Sequence, residues 1–132
     1  KVDEMFGIYA FQQVFQMIST VSSELRGNLT YLDAIKNAFP MGSMTGAPKH
    51  KVMQLIEQYE SSKRGIFSGA AGYITPEGDF DFNVVIRSIF LNMEAKQYSF
   101  QVGSAITYDS DPEKEYEECL IKAKAMREVL ES

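Results

Sequence analysis

The sequence predicts an α+β fold, an antiparallel β-meander packed with helices, from two changes of pattern along the chain. Apolar residues first recur at the three- and four-residue spacing of amphipathic helices. From about residue 66 the pattern shifts to runs rich in Ile, Val, Phe and Tyr bounded by turn residues, and an acidic helical stretch closes the chain. Three strands covered on one face by helices make a two-layer arrangement.

The elements follow in order. Phe11, Val14, Ile18, Val21 and Leu25 predict a first helix over residues 11–25, closed by Gly27-Asn28. Thr30 is placed to cap a second, short helix that turns Leu32, Ile35 and Phe39 inward and stops at Pro40. Residues 42–48 form a loop of small residues, with Pro48 suited to the first turn of a third helix. That helix carries Val52, Met53, Ile56 and Tyr59 on one face and frays at Ser61-Ser62. Strands are expected over residues 66–74, 80–91 and 97–107, joined by turns at Thr75-Pro76-Glu77-Gly78 and Asn92-Met93-Glu94-Ala95. The last helix starts after Asp109-Ser110-Asp111, with Pro112 near its first position, and runs to about Leu130. No repeat or linker divides residues 1–132, which read as a single domain.

Composition narrows the functional classes. Lys and Arg total 13 against 18 acids, a net charge of −5, without the basic clusters of a nucleic-acid or anionic-membrane surface. An anionic ligand would need local cations or a metal to offset that field. Cys119 is the only cysteine, so no intrachain disulfide can form and a cytoplasmic setting is the expectation. No apolar run reaches the length of a membrane span, and no targeting pattern opens the chain. Lys1 reads as a position inside a longer protein.

The nucleophile inventory is poor. His50 is the only histidine, has no acidic or cysteine partner assignable from sequence, and reads as a surface or boundary residue. Cys119 sits in an acidic helix, a setting that disfavours a thiolate. Arg87 is more informative, because it interrupts Val84-Val85-Ile86 and Ile89-Phe90-Leu91 in an otherwise apolar run. It is either a structural cation with an acidic neighbour or an edge position, or a fork that grips a ligand carboxylate with two parallel hydrogen bonds. Glu115, Glu118 and Lys122 share one face of the last helix. They are either a solvated face with an i,i+4 pair, or two hard oxygen ligands for Mg2+ with a cation beside them. The 42–49 loop and the small residues Gly103, Ser104 and Ala105 allow backbone amides to approach an anion.

Five spaced blocks occur together: residues 40–49 (PMGSMTGAPK), 69–73 (GAAGY), 86–88 (IRS), 103–106 (GSAI), and 109–122 with DSDP, EYEE and Lys122. In this order they resemble the C-terminal signature of the chorismate-binding enzymes, from about residue 11 onward. That family includes component I of anthranilate synthase and of aminodeoxychorismate synthase, and the isochorismate and salicylate synthases. The resemblance implies a fragment of a larger fold, Mg2+ as cofactor and chorismate as substrate. It implies metal contacts from Glu118 and Glu115, and substrate contacts from Arg87, Lys122, Gly103, Ser104, Ala105, Ser43, Met44, Thr45 and Phe67. It also implies a glutamine amidotransferase subunit that supplies ammonia.

Two positions depart from the family pattern. Gln16 stands where a histidine is frequent and cannot act as a general acid or base, and Ala105 replaces a glycine while keeping its backbone amide. Ser43-Met44-Thr45-Gly46 is more similar to aminodeoxychorismate synthase than to anthranilate synthase, in which Ser often replaces the Thr. Because the family's chains are much longer, the fragment is expected to turn over little by itself and to self-associate through uncovered apolar faces. A binding or assembly module without catalysis is the competing reading.

Overall fold

The computed structural model describes residues 1–11 and 15–131. The chain forms two compact units, Lys1–Ala38 and Phe39–Ser132.

The first unit corrects the sequence reading. Strands β1 (Val2–Ala10) and β2 (Phe15–Val21) pair antiparallel, with Gly7 opposite Ile18 and Tyr9 opposite Gln16. The helix expected over residues 11–25 is therefore absent from its described part; Val14 lies outside the described residues. The spacing Phe11, Ile18, Val21 and Leu25 suited a helix, but Phe15–Val21 is also a short apolar run with β-branched Ile18, Thr20 and Val21. Periodicity alone does not separate the two for so short a segment, and β1 satisfies its backbone groups. Helix α1 (Tyr31–Ala38) forms where expected, but of the residues expected to turn inward only Ile35 is half-buried, while Leu32 and Phe39 are exposed. Thr30 Oγ1 accepts from the Asp33 N–H at 3.4 Å and Asp33 Oδ2 accepts from the Thr30 N–H at 2.8 Å, a reciprocal cap.

The second unit begins with α2 (Gly42–Thr45), a single turn inside the expected loop, and α3 (Lys49–Tyr59), which starts directly after Pro48. Strands β3 (Ala70–Ile74) and β4 (Phe80–Val84) form a hairpin. Its turn has Pro76 second and Gly78 fourth with φ 95°, and Gly78 N–H bonds Thr75 C=O at 3.0 Å. Gly72 faces Phe82 across this ladder, and a Cβ there would lie 2.0 Å from the Asp81 carbonyl oxygen, so no larger residue fits. Strands β5 (Phe90–Asn92) and β6 (Gln97–Ser99) form a second hairpin. Its turn is closed by Asn92 Oδ1, which accepts from the Ala95 N–H at 3.0 Å.

The expected strands are thus antiparallel but shorter, and they pair two by two rather than as one three-stranded meander. The run 80–91 breaks after Val84. Ile86 N–H bonds back to Val84 C=O at 3.0 Å, and Arg87 follows with φ 49°, which turns the chain out of the ladder. The run 97–107 keeps only Gln97–Ser99 as strand, and Gly103, Ser104 and Ala105 lie in irregular chain without a ladder partner among the described residues. Helix α4 (Pro112–Glu131) closes the unit. Asp111 Oδ1 caps it, accepting from the N–H groups of Glu113 at 3.0 Å and Lys114 at 3.4 Å. Among the described residues only Val85 and Ala123, each 8% exposed, are buried.

Candidate active site

A cavity of about 260 Å³ lies within the second unit. It is lined by Ser43 and Met44 of α2, by Phe67, by Ile86 and Arg87 after β4, by residues 101–105, by Arg64, and by Lys122 of α4. Eight of the residues singled out from sequence therefore share one wall, although they span 80 positions of the chain: Ser43, Met44, Phe67, Arg87, Gly103, Ser104, Ala105 and Lys122. Thr45 does not. Its hydroxyl donates to the Met41 carbonyl at 3.0 Å, and it lines a neighbouring cavity that also touches Phe67.

Glu115 and Glu118 meet this wall through Ser104. The Ser104 hydroxyl lies against Glu115 Oε2 and at 2.9 Å from Glu118 Oε2. Lys122 Nζ pairs with Glu118 Oε1 at 2.6 Å and donates to the Gly103 carbonyl at 2.9 Å. The helical repeat explains the grouping: residues 115, 118 and 122 fall on one stripe of α4, which lies along the 103–105 segment. The Lys122 ammonium, then the Ser104 hydroxyl, hold the Glu118 carboxyl below the usual carboxylate range.

Three cations line the cavity, and they differ in partnership. Arg64 is neutralised by Glu60, with Nη2 at 2.5 Å from Oε1, and Lys122 by Glu118. Arg87 makes no hydrogen bond or ion pair among the described residues, is exposed, and has a left-handed backbone (φ 49°) that non-glycine residues rarely adopt. An unpaired guanidinium facing a cavity on a strained backbone can take an anion bidentately without first breaking an internal pair.

The donor set for a hard cation is two carboxylates, Glu115 and Glu118, gathered on one hydroxyl. No group of three or more His, Cys, Asp or Glu is assembled among the described residues. Mg2+ needs one or two protein carboxylates and completes its shell with water and ligand oxygens, so these residues fit it. Gln16 lies in the first unit on exposed β2, where among the described residues its side-chain amide reaches the Met17 carbonyl at 3.5 Å. His50 is exposed on α3, and Cys119 is a half-buried free thiol on α4. No described helix is long and apolar enough to cross a membrane.

The family model for the chorismate binding enzyme matches residues 1–128. The chain belongs to this family. It is 42% identical over 119 residues to anthranilate synthase component 1 of Lactococcus lactis subsp. lactis, covering 90% of the chain and 26% of that protein. It is 39% identical over 130 residues to aminodeoxychorismate synthase of Streptomyces griseus, covering 98% of the chain and 18% of that protein. The fold matches anthranilate synthase component I of Streptococcus pneumoniae with a TM-score of 0.84 at 35% identity, over 96% of the chain and 28% of that structure. The chain thus has an α+β fold with antiparallel strand pairs and is a fragment of the larger chorismate binding enzyme fold, spanning about a quarter or less of these relatives.

Sequence reasoning assigned no site role to four residues of this wall, Arg64, Ile86, Gln101 and Val102, of which Arg64 is the charged one. The four-residue spacing of Glu60 and Arg64 was the only hint of their pair, and it carries no helical warrant because both lie beyond the end of α3 at Tyr59.

Proposed function

We propose that this chain is the C-terminal part of an Mg2+-dependent enzyme that aminates chorismate to 4-amino-4-deoxychorismate, with ammonia from a glutamine amidotransferase partner. The observation that carries the reading is the cavity that gathers Arg87, Lys122 and the 103–105 segment beside the paired carboxylates Glu115 and Glu118.

Chorismate is a dianion, and a net charge of −5 makes the local cations decisive. Arg87 binds one carboxylate through its free fork. Lys122, held at the wall by Glu118 and the Gly103 carbonyl, offers charge to the other anionic group. Ser43, Met44 and Phe67 border the ring, and backbone amides of 103–105 approach it. Glu115 and Glu118 would hold Mg2+, which would supply Lewis-acid stabilisation of the departing hydroxyl. Gln16 is chemically unable to move a proton as a general acid or base, so no proton step is assigned to it.

Thr45 of the Ser43-Met44-Thr45-Gly46 block favours the aminodeoxychorismate branch. The alternative is anthranilate synthase component I, supported by the 42% identity to the Lactococcus lactis enzyme of that name. Incubating the intact enzyme with chorismate, Mg2+ and ammonium, with Glu118→Ala as control, separates them by mass spectrometry. Aminodeoxychorismate that disappears in the control supports the proposal, and anthranilate with pyruvate supports the alternative. No product from a folded intact enzyme leaves a binding or assembly module as the account.

A further inference from the structure

The Arg64 guanidinium is the most heavily bonded side chain at the cavity wall. Its Nε donates to Glu60 Oε2 at 2.9 Å and Oε1 at 3.1 Å, and its Nη2 to Glu60 Oε1 at 2.5 Å. Its Nη1 donates to the Met44 carbonyl at 2.7 Å and to the Ser68 hydroxyl at 3.3 Å. Four of its five N–H groups are thereby engaged, so unlike Arg87 it has little left for a ligand.

Each partner belongs to a different part of the site. Glu60 ends α3, and Met44 lies in α2 beside Ser43. Ser68 sits in a tight turn with φ 63°, next to Phe67. That turn is tied to the segment that leads from β4 to Arg87: Ser68 N–H bonds the Val85 carbonyl at 2.9 Å, and Val85 N–H bonds the Gly69 carbonyl at 2.9 Å. Val85 is two residues before Arg87 and is one of the two side chains buried among the described residues. One guanidinium thus connects α2, the end of α3 and the turn that anchors the Arg87 segment.

We infer that Arg64 is a positioning residue, a clamp that fixes Met44 and Phe67 relative to Arg87 and so sets the width of the ligand cavity. Its charge is cancelled by Glu60, and its contribution is geometric, through the planar fork that a lysine lacks. The consequence for chorismate rests on the proposed function; the clamp itself does not.

The test uses the intact enzyme with Arg64→Lys and Arg64→Ala, read by hydrogen exchange and by steady-state kinetics with chorismate. Exchange is expected to rise at residues 42–46, 67–69 and 85–87 in both variants, while residues 115–122 of α4 keep wild-type protection. The KM for chorismate is expected to rise about 10- to 100-fold, with a smaller change in kcat. Wild-type exchange and KM in Arg64→Lys would overturn the inference, since charge alone would then suffice. A uniform rise in exchange over the whole chain would also overturn it, by showing general destabilisation. If Arg64→Ala does not fold, Glu60→Gln, which weakens the fork and keeps its shape, gives the same local pattern at smaller amplitude. A wild-type enzyme that ignores chorismate would defeat the proposed function and leave the exchange pattern to decide the clamp.

Discussion

Arg64, Arg87 and Lys122 carry the same charge in one cavity, and their partners separate their roles. Arg64 and Lys122 each face a carboxylate, whereas Arg87 has none among the described residues. Of the readings that the sequence left open for Arg87, the salt bridge does not form among the described residues, while the edge position and the ligand-gripping fork both stand. Glu118 is the residue with a testable titration. Its folded-state carboxyl is held low by Lys122 and then Ser104. A depressed carboxylate stabilises the fold above its unfolded pKa, and that contribution is lost as pH falls through the lower folded value. Between those two values the unfolded carboxyl is already protonated while the folded one remains ionised. A carbon-13 NMR titration should therefore find the Glu118 carboxyl titrating below the usual carboxylate range, and Lys122→Met should move it upward. Titration of Glu118 at or above the ordinary glutamate range would contradict the arrangement of these three side chains.

At the scale of elements, legibility followed the strength of local signals. Helix α4 was readable because Asp111 and Pro112 mark its start, and its cap forms as the residue types dictate. The Thr30–Asp33 cap and the Gly78 turn were readable for the same reason. Residues 11–25 misled because a three- and four-residue spacing of apolar groups coexists there with β-branched residues, and pairing with β1 decides between them. The breaks in the later strands also escaped the sequence: the left-handed Arg87 follows an apolar run that local preference would extend. Of the candidate site, Ser43, Met44, Arg87, 103–105 and the α4 stripe were legible from motif order. Arg64 was not, because its partners Met44 and Ser68 become neighbours only in the folded chain.

At the scale of the molecule, the apolar surface is the dominant feature. Phe15 is 79% exposed and Met93 81%, and Ile8, Leu91 and Ile121 are also exposed. Soluble monomers rarely leave so many large apolar side chains in water. The chain spans 26% of the Lactococcus lactis relative, and on the proposed function further parts of a longer chain cover these faces. The isolated 132-residue chain should accordingly self-associate with rising concentration in light-scattering chromatography, whereas a compact, concentration-independent monomer would contradict this.

On the proposed function, chorismate is held in the cavity around Arg87 by that unpaired guanidinium, and the decisive experiment is calorimetric titration of the intact enzyme with chorismate and Mg2+. Saturable binding is expected, and Arg87→Ala should weaken it by about 3 kcal/mol, on the order of 100-fold in Kd, with the fold unchanged. Equal affinity in the wild-type and Arg87→Ala enzymes would contradict it.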